Sequence, residues 1–133
     1  MTPRRLFLAL ALLGLAAAGC GGSAATAPPA PSVALTGPPI QLTVTAQNIE
    51  LAPATMSVPA GRMLQVTFDN KDAGVPHDLV LKGGPGFTTE LIKTEISTGV
   101  TTTALPIPGL MPGAYQFTCN VHPTMTASLT VGG

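Results

Sequence analysis

Residues Ile40 to Val131 carry a two-residue rhythm of apolar and polar side chains, and that rhythm restricts the fold more than any other feature. Ile40, Leu42, Val44 and Ala46 alternate with Gln41, Thr43 and Thr45; Leu64, Val66 and Phe68 alternate with Gln65 and Thr67. The pattern returns in Tyr115, Phe117 and Cys119 and again in Ala127, Leu129 and Val131. A strand turns successive side chains to opposite faces, so each segment predicts a strand with one buried face, whereas an amphipathic helix repeats every 3.6 residues. Turn-forming stretches separate the segments: Pro59-Ala60-Gly61, Asn70 to Gly74, Gly83-Gly84-Pro85-Gly86 and Pro108 to Gly113. Short, evenly spaced strands of this kind predict an all-β, Greek-key antiparallel β-sandwich. Thr88 to Ser97 is compatible with either a short helix or a further strand.

The segment before Ile40 has a different character. Thr2-Pro3-Arg4-Arg5 is basic, Leu6 to Ala18 is apolar apart from Gly14, and Ala16-Ala17-Ala18-Gly19-Cys20 offers small residues for cleavage, so residues 1–19 read as an export signal. The apolar run is shorter than the ~20 residues a membrane-spanning helix needs. Lipoprotein processing before Cys20 is the favoured cleavage, which makes the lipidated Cys20 a membrane anchor; cutting after Ala18 is the alternative. Arg4-Arg5-Leu6-Phe7-Leu8 also resembles part of a twin-arginine signal, from which Pro3 and Ala9 depart. Apart from Cys20, residues 20–39 are almost all Gly, Ser, Ala, Thr and Pro, with only Val33 and Leu35 as larger apolar residues and almost no charge, a composition that cannot bury a core and reads as a tether. Residues 40–133 then form one small domain. The expected location is the periplasm or the outer face of the cell membrane.

Charge removes a further class of function. Two of the six basic residues, Arg4 and Arg5, lie in the leader, which leaves four against six acidic residues and a net charge of −2. No basic patch remains to hold nucleic acid.

The chemistry is concentrated in Cys119-Asn120-Val121-His122-Pro123-Thr124-Met125, with His77 upstream. Taken singly, a Cys in a sandwich is a small buried hydrophobe, a His a polar surface residue and a Met core filler. Together they resist those readings, because the domain has one Cys and so no disulfide, and the only two His of the chain both take part. Cys119 is in phase with Tyr115 and Phe117, so its sulfur faces inward at a strand end; His77 is in phase with Leu79 and Leu81 and faces inward from another rim. A thiolate, two imidazoles and a thioether are the donors of an electron-transfer copper site, with His₂Cys in a plane and Met on its axis. Thiolate with thioether selects copper over zinc. Met111 precedes a strand of six or so residues and so stands roughly 20 Å from Cys119 at 3.3 Å per residue, too far for the axial place. With both His assigned, none remains for a second, catalytic copper. One Cu(I)/Cu(II) ion per chain, and no enzymatic activity, is the expectation.

These residues resemble the cupredoxin family of small blue-copper proteins. The similarity includes Val58-Pro59-Ala60-Gly61, Phe68-Asp69-Asn70, Pro76-His77 and Pro112 to Cys119, and within the family the Cys-x-x-His-x-x-Met spacing most resembles amicyanin, plastocyanin-like proteins having a longer gap. The resemblance implies that His77, Cys119 and His122 are equatorial ligands and Met125 axial. It also implies a monomeric one-electron carrier whose redox protein partners dock near His122, amid Val75, Pro76, Val121 and Pro123. A different class of function, copper storage or delivery, calls for an exposed Met- or His-rich tract, and residues 21–39 contain neither. The family commonly has Asn after the first His, bracing the Cys loop; here Asp78 either reproduces that brace toward Asn120 or points outward as a solvated charge.

Overall fold

The computed structural model describes residues 34–132, so the expected export signal, Cys20 and most of the tether lie outside the described residues. Eleven strands follow one another: β1 (Ile40–Gln47), β2 (Glu50–Ala52), β3 (Thr55–Pro59), β4 (Leu64–Asn70), β5 (Pro76–His77), β6 (Val80–Gly83), β7 (Thr89–Lys93), β8 (Ser97–Thr98), β9 (Thr101–Ile107), β10 (Gly113–Thr118) and β11 (Thr126–Gly132). One sheet has the order β2-β1-β4-β9, the other β3-β11-β10-β6-β7, and β5 pairs with β8 separately. Neighbours that are distant in sequence, such as β4 with β9 and β6 with β10, supply the crossings of the expected sandwich.

Alternation builds the core directly. Leu64, Val66, Phe68 and Asn70 are buried while Gln65, Thr67 and Asp69 are not. From the facing sheet Phe117, Cys119, Ala127, Leu129 and Val131 enter the same cluster, with Leu79 and Leu81 beside them. A fully buried Phe or Leu contributes about 1.5–3 kcal/mol through apolar burial.

Two pairings depart from the purely antiparallel expectation. Six strand pairs are antiparallel, but β1 runs parallel to β4 and β11 parallel to β3. After the β1–β2 hairpin the chain crosses to the second sheet as β3 and returns as β4, so β4 enters beside β1 in the same direction. Alternation is identical in both kinds of pair and carries no information on direction. The segment Thr88 to Ser97 resolves as strand, with a 3₁₀ turn at Pro85–Phe87 before it and β7 on the sheet edge. Strand β9 also lies on an edge, where Pro106 removes no bond from the sheet interior.

Both sheets are oriented toward one end. Strands β1, β4 and β10 run to it with Ala46, Asn70 and Thr118, and β11 leaves from it with Thr126. At the opposite end, the exposed residues before β1 are tied to the β3–β4 turn: Thr36 N–H donates to Gly61 O at 2.8 Å and the Arg62 guanidinium to Pro38 O. There too Tyr115 Oη donates to Met111 O at 2.9 Å, and its ring lies against Gly83, where a Cβ would stand 3.2 Å from Tyr115 Cδ1.

Candidate metal centre

Asn70 ends β4 with its side chain inward and wholly buried. Its amide donates to Val75 O and Ser97 O, each at 3.3 Å, and its Oδ1 accepts from Asp72 N at 3.0 Å. That Asn thereby shapes the loop from Lys71 to Val75 and presents β5 to β8, where His77 pairs with Ser97. His77 is completely buried. Instead of opening one strand in phase with Leu79 and Leu81, it stands on β5, and β6 starts only at Val80, with every residue from His77 to Leu81 buried.

On the second sheet Cys119 follows β10 directly and is 1% exposed. The loop after it is closed by Met125 N–H donating to His122 O at 2.9 Å, so His122 folds back over Cys119 and Met125 enters the core cluster. His122, in contrast to His77, is only half-buried.

Three donors meet between the sheets. His77 Nδ1 and His122 Nδ1 are 3.2 Å apart, and Cys119 Sγ lies 3.7 Å from the first and 4.0 Å from the second. The rings are tilted by 54° with centroids 4.8 Å apart. A triangle with those sides has a circumradius of about 2.1 Å, so one point is equidistant from all three donors at the length of a metal–imidazole bond and just under that of a metal–thiolate bond. Two imidazole nitrogens and a sulfur facing one another at such distances fit a shared cation. These three residues are the one His/Cys/Asp/Glu cluster of ligating geometry among the described residues. With the thioether of Met125 buried in the same core cluster as Cys119, the donors are those of a single type 1 copper ion.

Two carboxylates support the ligands. Asp78, 2% exposed, accepts from Asn120 N at 2.7 Å through Oδ1 and from Asn120 Nδ2 at 3.1 Å through Oδ2. It is therefore the brace across to the Cys119 loop; the outward, solvated alternative is incorrect, because the chain between β5 and β6 is buried on both faces. Asp72, which periodicity and spacing did not single out, lies 2.9 Å from His77 Nε2 through Oδ2. Its carboxyl is held below the ordinary range, chiefly by the Ile49 N–H, with Asn48 and His77 adding to the effect and desolvation opposing it. The sequence signal for this loop was only a turn, which the Asn70–Asp72 hydrogen bond forms.

The sequence matches the family described as Cupredoxin-like domain over residues 8–131. The chain belongs to the cupredoxin family. No curated protein sequence is similar enough to count as a match. Among solved structures, this cupredoxin resembles reduced auracyanin from the photosynthetic bacterium Roseiflexus castenholzii, with 20% identity and a TM-score of 0.62 over 73% of this chain and 100% of that one. Auracyanin A from Chloroflexus aurantiacus, described as a "blue" copper protein, gives 20% identity and a TM-score of 0.60 over 71% and 99%. Rusticyanin from Thiobacillus ferrooxidans gives 17% and 0.61 over 75% and 81%. At these identities the likeness establishes the shared fold. It is to auracyanins and rusticyanins, not to amicyanin specifically.

Proposed function

We propose that this cupredoxin is an exported electron-transfer protein that passes single electrons through one type 1 copper ion. His77, Cys119, His122 and Met125 would hold that ion. The observation that carries the reading is the Nδ1–Nδ1–Sγ triangle, whose centre fits one metal ion. When bound, copper supplies the one-electron couple. The chain's own part is to keep the donors in place: His77 is held from behind by Asp72, Cys119 through Asn120 by Asp78, and Met125 by core packing. A donor set suited to both oxidation states and gripped by two sheets limits rearrangement on electron gain or loss.

His122 is the half-buried ligand; of the residues that the resemblance sets near it, Val75, Pro76 and Val121 are partly exposed and Pro123 is exposed. Ile96 and Val100 flank β8, the partner of β5, and are 60% and 71% exposed. This apolar rim is the proposed docking surface for redox partners, a small interface of the sort weak redox encounters use. The Cys-x-x-His-x-x-Met spacing supports an amicyanin-like ligand loop. The basic-apolar-small pattern ending at Cys20 supports export and a lipid anchor, and no helix of the described residues is long and apolar enough to cross a membrane.

Addition of Cu(II) to the copper-free protein tests the reading. One equivalent should give an intense blue band that bleaches with one electron per chain, and Cys119→Ser should lose the band while the domain stays folded, since a hydroxyl cannot replace the soft thiolate. Colourless native protein, or a band that survives in the variant, would refute the assignment.

A further inference from the structure

We infer that Asp72 is a positioning residue of the copper centre, clamped by the β1–β2 turn, which selects the His77 tautomer and lowers the reduction potential. The inference rests on the copper reading for the potential, but its tautomer half stands on the protein alone.

An ionised carboxylate only accepts hydrogen bonds. Because Asp72 Oδ2 lies 2.9 Å from His77 Nε2, that nitrogen carries the proton, and the lone pair of Nδ1 is left facing Cys119 Sγ and His122 Nδ1. A buried imidazole without such a partner is free to hold its proton on Nδ1, where it would block a metal.

What marks Asp72 as more than a nearby acid is how it is held. Asn48 N donates to its Oδ1 at 2.6 Å and Ile49 N to its Oδ2 at 3.0 Å. Both donors sit at positive φ, 55° and 59°, in the two-residue turn that joins Gln47 to Glu50. Asn adopts that conformation readily, but a β-branched Ile there is strained. Ile49 is 46% exposed and its side chain is not part of the core. The compensation visible in the structure is the carboxylate, which two consecutive backbone N–H groups of the turn bind as an anion. Lys71 N donating to Ala46 O at 2.9 Å fastens the same loop to β1. Hairpin, loop and ligand thus form one chain of contacts, β1–β2 turn to Asp72 to His77 to the metal position. Negative charge delivered through His77 favours the more positive oxidised ion, so its removal raises the potential.

Asp72→Asn tests this with two readouts. Cu(II) affinity should fall about 10–100-fold, the usual loss on removing such a partner, and Cu(I) affinity less. Each tenfold difference between the two losses is a rise of about 59 mV in reduction potential. In copper-free protein, at a pH where imidazole is neutral, ¹⁵N NMR should show native His77 protonated on Nε2 and the variant with Nδ1–H populated. A purely structural role for Asp72 would lower thermal stability yet leave potential and tautomer unchanged, and that outcome overturns the inference. If Asp72→Asn does not fold, the native protein decides: Nδ1–H in native His77 overturns the inference and a protected Nε2–H sustains it. Failure of the native protein to bind copper would refute the proposed function and leave the tautomer result standing.

Discussion

Replacing Asp78 by Asn removes one charge from the copper centre while keeping the shape that braces the Cys119 loop. The carbonyl of the introduced amide would still accept from Asn120 N, and rotation of the Asn120 amide by half a turn restores the second bond. Exchanging charge-assisted for neutral hydrogen bonds should cost about 1 kcal/mol of stability. The electrostatic effect is larger relative to what can be measured. Asp78 adjoins His77 and grips the residue after Cys119. Asp78 Oδ1 is 2.7 Å from Asn120 N, and the covalent path from that nitrogen through Cys119 to its sulfur bounds the distance from carboxylate to donor triangle at about 10 Å, so a separation on the order of 9 Å is taken. At an effective dielectric constant near 20, a unit charge at that distance is worth about 1.8 kcal/mol, or about 80 mV for a one-electron couple. Solvent at the exposed Asn120 and the ammonium of Lys93, whose pKa is raised first by Glu90 and also by Asp78, reduce this field. Doubling the dielectric constant halves the shift, so a rise of about 40–80 mV is expected. Potentiometry at low ionic strength on native and variant proteins measures it, and unchanged visible and EPR spectra exclude a moved ligand. Equal potentials, or a fall, would refute the claim that the Asp78 charge acts on the metal.

Met125→Leu should retain the blue colour and raise the reduction potential, because loss of a weak axial donor withdraws support mainly from Cu(II); an unaltered potential would mean that another group holds the axis. Cys20→Ala should move the protein from the membrane to the soluble exported fraction, since one chemical anchor is all that the leader region offers; unchanged fractionation would point to cleavage after Ala18. In copper-free protein, Asp72 binds its proton less readily folded than unfolded, because its carboxyl lies below the ordinary 3.8. The stability it contributes is therefore complete above that pH and disappears as pH falls through the lower folded value, so the native protein and Asp72→Asn should converge in stability under acid; a constant gap in acid unfolding experiments would contradict this.

Strands β1, β4 and β11 were legible at once, each with at least three alternating inward residues, and in β10 the half-buried Tyr115 and buried Phe117 lead in phase to Cys119, although Thr118 is buried as well. Strands β2, β5 and β8 are too short to show a period, and β7 lies on an edge with almost every residue exposed, its only apolar residues being the adjacent Leu91 and Ile92, which show no alternation. In β9 the inward set begins with Thr101 and Thr103, and only Leu105 and Ile107 are buried, which hides the alternation until its last turn. Three of the four ligands were legible because a seven-residue loop holds them, and the fourth because the chain has only one other His. Asp72 was not, for its donors lie 23 and 24 residues away on a hairpin whose docking no local pattern records.

His77 comes from β5, outside both main sheets and reached by the loop that leaves β4, whereas Cys119, His122 and Met125 come from the end of the sheet that holds β10 and β11, so the site depends on the whole core rather than on its loop alone. Packed sheets stand about 10 Å apart, while the three donors meet within 4.0 Å of one another. The gap is closed by side chains: the pleat that buries Phe117 also aims Cys119 inward, and Asn70, at the end of the pleat that buries Phe68, shapes the loop that delivers His77. Phe68 and Phe117, each two residues before Asn70 or Cys119, are wholly buried in one core cluster. Because close-packed interiors transmit small displacements instead of absorbing them, the donor triangle inherits its dimensions from the packing beneath it.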